Sequence, residues 1–118
     1  MSQFQKYNTV LRRDTKDDKD GMNLYSTTIH VLASAVQKVA TVMKLESGLK
    51  LYRGLGGMEL PEFFYHADGD GFRGIMEYAF MSTTASKAVA LEYSGIKKDA
   101  PHPTVLEITV SAVDRGAW

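Results

Sequence analysis

The chain has 118 residues, a single-domain length, with no cysteine and an apolar share of 44%. One packed core is therefore expected, while disulfides, thiolate nucleophiles and cysteine-ligated zinc are excluded. Lys plus Arg and Asp plus Glu number 14 each, for a net charge of zero, which leaves no long-range field to gather nucleic acid. The N-terminal MSQFQKYNTV has no apolar signal core. No stretch nears the roughly 18 consecutive apolar residues of a membrane span, so an intracellular, cytoplasmic protein is expected.

In chain order, Phe4, Tyr7, Val10 and Leu11 recur at spacings of three and four, which predicts a short amphipathic helix. Residues 14–20 (DTKDDKD) form a charged, solvated loop closed by Gly21. Ser26, Thr27 and Thr28 offer N-caps for a second helix over residues 29–45. Its apolar stripe is Ile29, Leu32, Val36, Val39 or Ala40, and Met43, with Gly48 as its stop. The character then changes. Alternation in Leu49-Lys50-Leu51-Tyr52-Arg53 predicts a strand ended by glycines, and residues 75–83 (IMEYAFMST) a second strand. Ser86 is placed to cap a short helix from Lys87 to Tyr93, stopped by Gly95, and residues 105–113 (VLEITVSAV) read as a third strand. Helices first and strands afterwards predict an α+β domain: a helical part over residues 1–48 and a strand-rich part over 49–118.

Period two puts Leu49, Leu51 and Arg53 on one strand face, so Arg53 should point toward a core or cleft. A charge placed there needs either an anion to hold or a carboxylate partner, and the strand pattern leaves both open. Ser82-Thr83-Thr84 stands where the second strand gives way to a helix, a position that suits capping as well as a site. Gly69-Asp70-Gly71-Phe72-Arg73-Gly74 spells G-x-G-x-x-G but precedes a strand instead of opening a helix, which removes the pyrophosphate-binding context. Asp68 and Asp70 lack the further ligands of a calcium loop, and His30, His66 and His102 have no paired spacing, so no metal is expected.

Three segments in order carry a resemblance: Leu51-Tyr52-Arg53-Gly54, then Phe80-Met81-Ser82-Thr83-Thr84, then Val89-Ala90-Leu91-Glu92-Tyr93-Ser94. From about Leu49 onward the chain resembles the arginine–serine–glutamate class of ADP-ribosyltransferases. Its terminal Val113-Asp114-Arg115-Gly116-Ala117 is similar to the segment upstream of that family's glutamate loop. The resemblance implies N-terminal helices packed on a split, mainly antiparallel β-sheet. It implies transfer of ADP-ribose from NAD to a protein side chain, arginine above all, with release of nicotinamide and no metal. The partners are then NAD and a protein acceptor. Arg53 falls at the arginine supporting the NAD diphosphate and adjoining ribose, and Gly54 where backbone groups bind the nicotinamide carboxamide. Ser82 matches the serine that orients the nicotinamide ribose and the catalytic glutamate, while Thr83 and Thr84 shape that strand end. Arg53 and Ser82 are thus the implied catalytic residues; Arg53, Gly54, Ser82 and Thr83 the implied NAD contacts.

One departure stands out. The family completes its site with Glu-x-Glu or Gln-x-Glu, whose last carboxylate stabilises the ribosyl cation, a large effect in a dry cleft. No two glutamates of this chain stand two apart, and Glu59 and Glu62, after Arg53, are expected to face solvent. The glutamate loop is accordingly expected beyond Trp118, with the 118 residues catalytically silent by themselves. An inactive module of the same fold that binds a nucleotide or a protein is the second function compatible with the residues, and a plain α+β interaction domain with chance motif matches the third.

Overall fold

The computed structural model describes residues 2–12, 25–111 and 117. The charged run at 14–20 and most of the terminal segment, residues 113–116, lie outside them. The chain divides into two compact units: Met1–Glu46 with Glu77–Met81 and Ser111–Trp118, and Ser47–Met76 with Ser82–Val110. Three α-helices and a two-stranded antiparallel sheet make up the α+β architecture of the described residues. No helix among them is long and apolar enough to cross a membrane.

In the first unit, helix α1 (Gln3–Arg12) opens on a reciprocal cap. Ser2 Oγ accepts the Gln5 N–H at 3.3 Å while Gln5 Oε1 accepts the Ser2 N–H at 2.8 Å. Two orphan groups of the first turn are satisfied this way. Tyr7, Val10 and Leu11 of the apolar stripe are half-buried, whereas Phe4 stays exposed. The most enclosed side chain of α1 is polar: Asn8 is 3% exposed. Its carboxamide donates to the Phe80 carbonyl at 3.1 Å and accepts the Phe80 N–H at 3.0 Å, 72 residues along the chain. One turn on, Arg12 grips Glu77 with two bonds of 3.0 and 2.9 Å, and that carboxylate raises the Arg12 pKa.

These side chains explain why the strand expected over residues 75–83 does not form. Phe80 spends both backbone groups on Asn8, and the Ala79 N–H bonds Glu77 Oε1 at 3.0 Å. Backbone groups already paired with side chains have nothing left to offer a ladder. Of the expected strand, only its C-terminal neighbour Thr84 makes a β-bridge.

Helix α2 (Ser26–Val42) also departs from expectation at both ends. It begins after Tyr25, held at φ 61° without a side-chain cap, so Ser26, Thr27 and Thr28 form its first turn instead of capping it. The Tyr25 ring meets Tyr7 edge-on at 5.4 Å. At the other end Met43 turns extended (φ −114°, ψ 91°), well ahead of Gly48, which serves the turn into the sheet. No residue of α2 is fully buried, and Leu32 and Val36 of its stripe are exposed.

The second unit is built on strand β1 (Lys50–Gly54), which pairs antiparallel with β2 (Val105–Thr109) from Lys50↔Thr109 to Gly54↔Val105. The ladder continues past both ends: Val110 N–H bonds the Leu49 carbonyl at 2.8 Å and Leu55 N–H the Thr104 carbonyl at 3.0 Å. Odd-numbered residues of β1 thus face β2, and Tyr52 turns its backbone groups to the opposite edge, as antiparallel alternation requires. There it exchanges two bonds with Thr84, of 2.7 and 2.9 Å. Helix α3 (Lys87–Glu92) follows, capped by Ser86 Oγ as its sequence predicts, and Ser94 closes its far end by bonding the Leu91 carbonyl. Ala90 and Val110, each 1% exposed, are the buried apolar residues of the described chain.

Gly54 is where α3 meets the sheet. A Cβ there would stand 2.3 Å from the Ala90 carbonyl oxygen and 2.6 Å from the Ser94 nitrogen. Gly95 (φ 100°) is pressed likewise, with a Cβ position 2.7 Å from the Gly57 nitrogen. Because backbone cannot swing aside like a side-chain tip, the Gly54→Ala protein should lose about 1–3 kcal/mol of stability, typical of overpacking. Gly69, whose Cβ position meets nothing within 4 Å, provides the control: Gly69→Ala should change stability by less than about 0.5 kcal/mol in urea unfolding. Asn8→Ala should cost about 1–3 kcal/mol for each Phe80 group it leaves buried and unpaired. A fully stable Asn8→Ala protein would show that water replaces the carboxamide.

Candidate functional site

Two residues singled out by the sequence meet in the second unit. Arg53 Nη1 donates to the Ser82 carbonyl at 2.7 Å and to Ser82 Oγ at 3.2 Å, across 29 residues of chain. Strand pairing and bridge together produce the contact. The Tyr52↔Thr84 bridge fixes the register, and Ser82 lies two residues before it. Arg53, one residue past Tyr52, is then within reach.

Arg53 shares its strand face with Leu51 and with their cross-strand partners Leu106 and Ile108, all four half-buried. The opposite face carries Lys50, Glu107 and Thr109, all exposed, together with the half-buried Tyr52, Gly54 and Val105. Lys50 Nζ reaches Glu107 Oε1 at 2.6 Å on that face. The parity of Arg53 with the leucines is therefore a real surface of the sheet. Of the two uses the strand pattern leaves open, the structural ion pair is not realised among the described residues: Arg53 bonds only the neutral oxygens of Ser82. A guanidinium has five N–H donors in a planar fork. Nε and Nη2 make no hydrogen bond with the described residues, and no described carboxylate is paired with Arg53. A half-buried arginine so placed is suited to phosphate or carboxylate.

Ser82 does not cap α3. Ser86 does, and Thr84 Oγ1 accepts the Ser86 N–H at 3.1 Å to shape the approach. Ser82 and Thr83 are exposed, and the Ser82 hydroxyl bonds Arg53. Gly54 is accounted for by packing against α3, a role the motif alone does not reveal. Its side of the strand is the one opposite Arg53, since successive residues point to opposite faces.

The acidic residues are spread elsewhere. Glu92 pairs with Lys97 at 2.9 Å, Glu107 with Lys50 at 2.6 Å, and Glu59 stands 3.7 Å from His102. Glu59 and Glu62 are both exposed. None of the glutamates of this unit hydrogen-bonds or ion-pairs with Arg53 or Ser82. The glycine run at 69–74 is a turn closed by Asp68, whose Oδ1 accepts the N–H groups of Asp70 and Phe72. No helix starts there, so it has no amide cluster aligned for a diphosphate. Three or more metal-ligating side chains do not gather anywhere among the described residues.

Comparison with protein-family models, curated proteins and solved structures finds no match to this chain.

The exposed Lys50–Glu107 pair has a definite pH signature. Hydrogen bonding from Lys50 lowers the Glu107 pKa, and the bond to Glu107 raises that of Lys50. The Glu107 contribution is thus present above its unfolded pKa and fades as pH falls through the folded value. That of Lys50 is present below its unfolded pKa and fades as pH rises through the folded one. Lys50→Met should flatten the acid-side decline of stability by a small amount. Surface pairs are screened, so in about 1 M salt the parent and variant urea midpoints should show the same pH dependence. A difference that persists at high salt would contradict the assignment.

Proposed function

We propose that this chain carries the NAD-binding part of an ADP-ribosyltransferase of the arginine–serine–glutamate class, with the helix-on-split-sheet fold of that class. The reaction transfers ADP-ribose to a protein side chain, arginine in the first instance. The observation that supports this reading most is the Arg53–Ser82 contact. Two motif residues far apart in sequence become neighbours, on a strand end whose arginine has donors to spare.

In this reading the spare N–H groups of Arg53 hold the NAD diphosphate, the planar fork meeting two oxygens at once. Ser82 Oγ, itself anchored by Arg53, presents its hydroxyl to the nicotinamide ribose. Thr83 borders the same strand end. The N-glycosidic bond breaks with its electron pair departing on nicotinamide. The acceptor nitrogen bonds the ribose C1′ and gives up a proton. Cation stabilisation at C1′ calls for a fixed carboxylate, and Glu59, Glu62, Glu92 and Glu107 of the second unit make no hydrogen bond or ion pair with Arg53 or Ser82. That observation favours a second reading, a module of the same fold that binds NAD or a related nucleotide without turning it over.

Titration calorimetry with NAD tests the shared premise. The parent chain should bind NAD, and Arg53→Ala should weaken binding at least tenfold, or about 1.4 kcal/mol, without a change in melting temperature. Arg53→Lys should weaken it as well, because an ammonium lacks the two-point contact. Ser82→Ala should lower affinity while leaving stability nearly unchanged, since the α3 cap is Ser86. Equal affinity of parent and Arg53→Ala would end both readings. Nicotinamide release in the presence of an arginine mimic then separates them, turnover supporting the transferase and binding without release the module.

A further inference from the structure

Within the second unit, residues 58–76 join the sheet to the Arg53-contacting segment by a loop whose backbone is tied down by its own bonds. Glu62–Phe64 is a 3₁₀ turn whose carbonyl at Glu62 accepts from Tyr65 and His66. Asp68 receives the Asp70 and Phe72 N–H groups on one carboxylate oxygen, at 3.0 and 2.8 Å. It also bonds Phe72 backbone to backbone at 2.8 Å, and Gly74 N–H reaches the Phe63 carbonyl at 3.3 Å. The tip of the Phe72 ring lies 3.7 Å from the Cβ position of Gly74. Phe63, Phe72 and Gly74 are therefore neighbours on a fixed frame.

That frame holds apolar side chains out in water. Phe63 is 58% exposed, Tyr65 56%, Phe72 60% and Met76 70%, while Phe64 between the first two turns inward. Exposed apolar groups clustered on one ordered loop mark interaction surfaces more often than single scattered ones do. The loop is also the acidic part of a neutral chain. Glu59, Glu62, Asp68 and Asp70 stand against Arg73 alone, four charges minus one, against a net charge of zero for the whole. Glu62 and Asp70 have no ion-pair partner among the described residues, and Glu59 has only His102 at 3.7 Å.

We propose that residues 58–76 are a docking surface for a positively charged protein segment that carries apolar side chains. The rings provide area to bury, at about 25 cal/mol per Å². Unpaired carboxylates steer a basic partner and give it counter-charges at the rim. Arginine side chains of such a partner can also lie on the Phe63, Tyr65 or Phe72 faces. A frame closed by Asp68 lowers the ordering cost of binding. The same carboxylates repel an anionic membrane surface and nucleic acid. The inference stands apart from the NAD reading and would survive its failure.

The test uses the full chain and a labelled peptide of alternating arginine and leucine, with a glutamate–leucine peptide of the same length. The arginine–leucine peptide should bind and weaken as salt rises, and the acidic peptide should not bind. Phe63→Ser with Phe72→Ser, and separately Glu62→Gln with Asp70→Asn, should each lower affinity at least tenfold. NAD titration should be unaffected in both. Amide chemical-shift changes on the unsubstituted chain should cluster within residues 58–76, which keeps the test decisive if a substituted protein fails to fold. The proposal is overturned by no binding at millimolar peptide, by shifts clustered elsewhere, or by affinity unchanged in both folded variants. Stronger binding to phosphatidylserine vesicles than to the basic peptide, or self-association through these residues, overturns it too.

Discussion

The two hydrogen bonds between Tyr52 and Thr84 carry more of the second unit than their number suggests. Tyr52 belongs to a strand whose odd residues are committed to β2, so its own N–H and carbonyl point to the free edge. Thr84 arrives there after a long excursion and takes both. Loop closure grows only slowly in cost with loop length, which lets so short a ladder hold so long a loop. Once the bridge is made, the next residues have little freedom. Ser82 falls beside Arg53, Thr84 Oγ1 accepts the Ser86 N–H, and Ser86 caps α3. The bridge, the cap and the arginine contact are successive consequences of one register.

Packing on the other side of β1 is governed by the absence of a side chain. Gly54 lets the Ala90 and Ser94 backbone approach to distances no Cβ tolerates, and Ser94 then satisfies itself on the Leu91 carbonyl while accepting the Ile96 N–H. With Ala90 and Val110 as the buried apolar residues, close backbone contact does much of what large side chains do elsewhere. Such contacts tolerate little change in volume. The contrast with Arg53 one residue earlier is instructive. Alternation sends Gly54 to the helix and Arg53 to the opposite face, so one short strand serves packing and charge presentation at once.

The electrical situation of Arg53 differs from that of the three paired cations of the described residues. Arg12, Lys50 and Lys97 each have a carboxylate within 2.9 Å. Arg53 has a carbonyl and a hydroxyl, which orient the fork without neutralising it. The proposed anion-binding role rests on the donors left over at Nε and Nη2.

The sequence determined those features that depend on near neighbours. Period-three and period-four spacing sufficed for α1, Ser86 and Gly95 for the ends of α3, and alternation for β1 and the face that Arg53 shares with leucine; of the strand expected over residues 105–113, β2 covers Val105–Thr109. The glycine run opens no helix, although the strand expected after it does not form either, and Asp68 closes it as a turn. What local pattern misjudged was decided by partners distant in the chain. Residues 75–83 have strand composition, yet Asn8 and Glu77 occupy the backbone groups a strand would need. Asn8 itself left only a faint signal, a carboxamide four residues after Phe4 and three before Leu11 on the apolar side of a helix. Gly54 reads as a motif letter until α3 is seen against it. The meeting of Arg53 and Ser82 likewise belongs to tertiary structure, because parity gives a side chain its direction while only the Tyr52–Thr84 register determines what stands in its path.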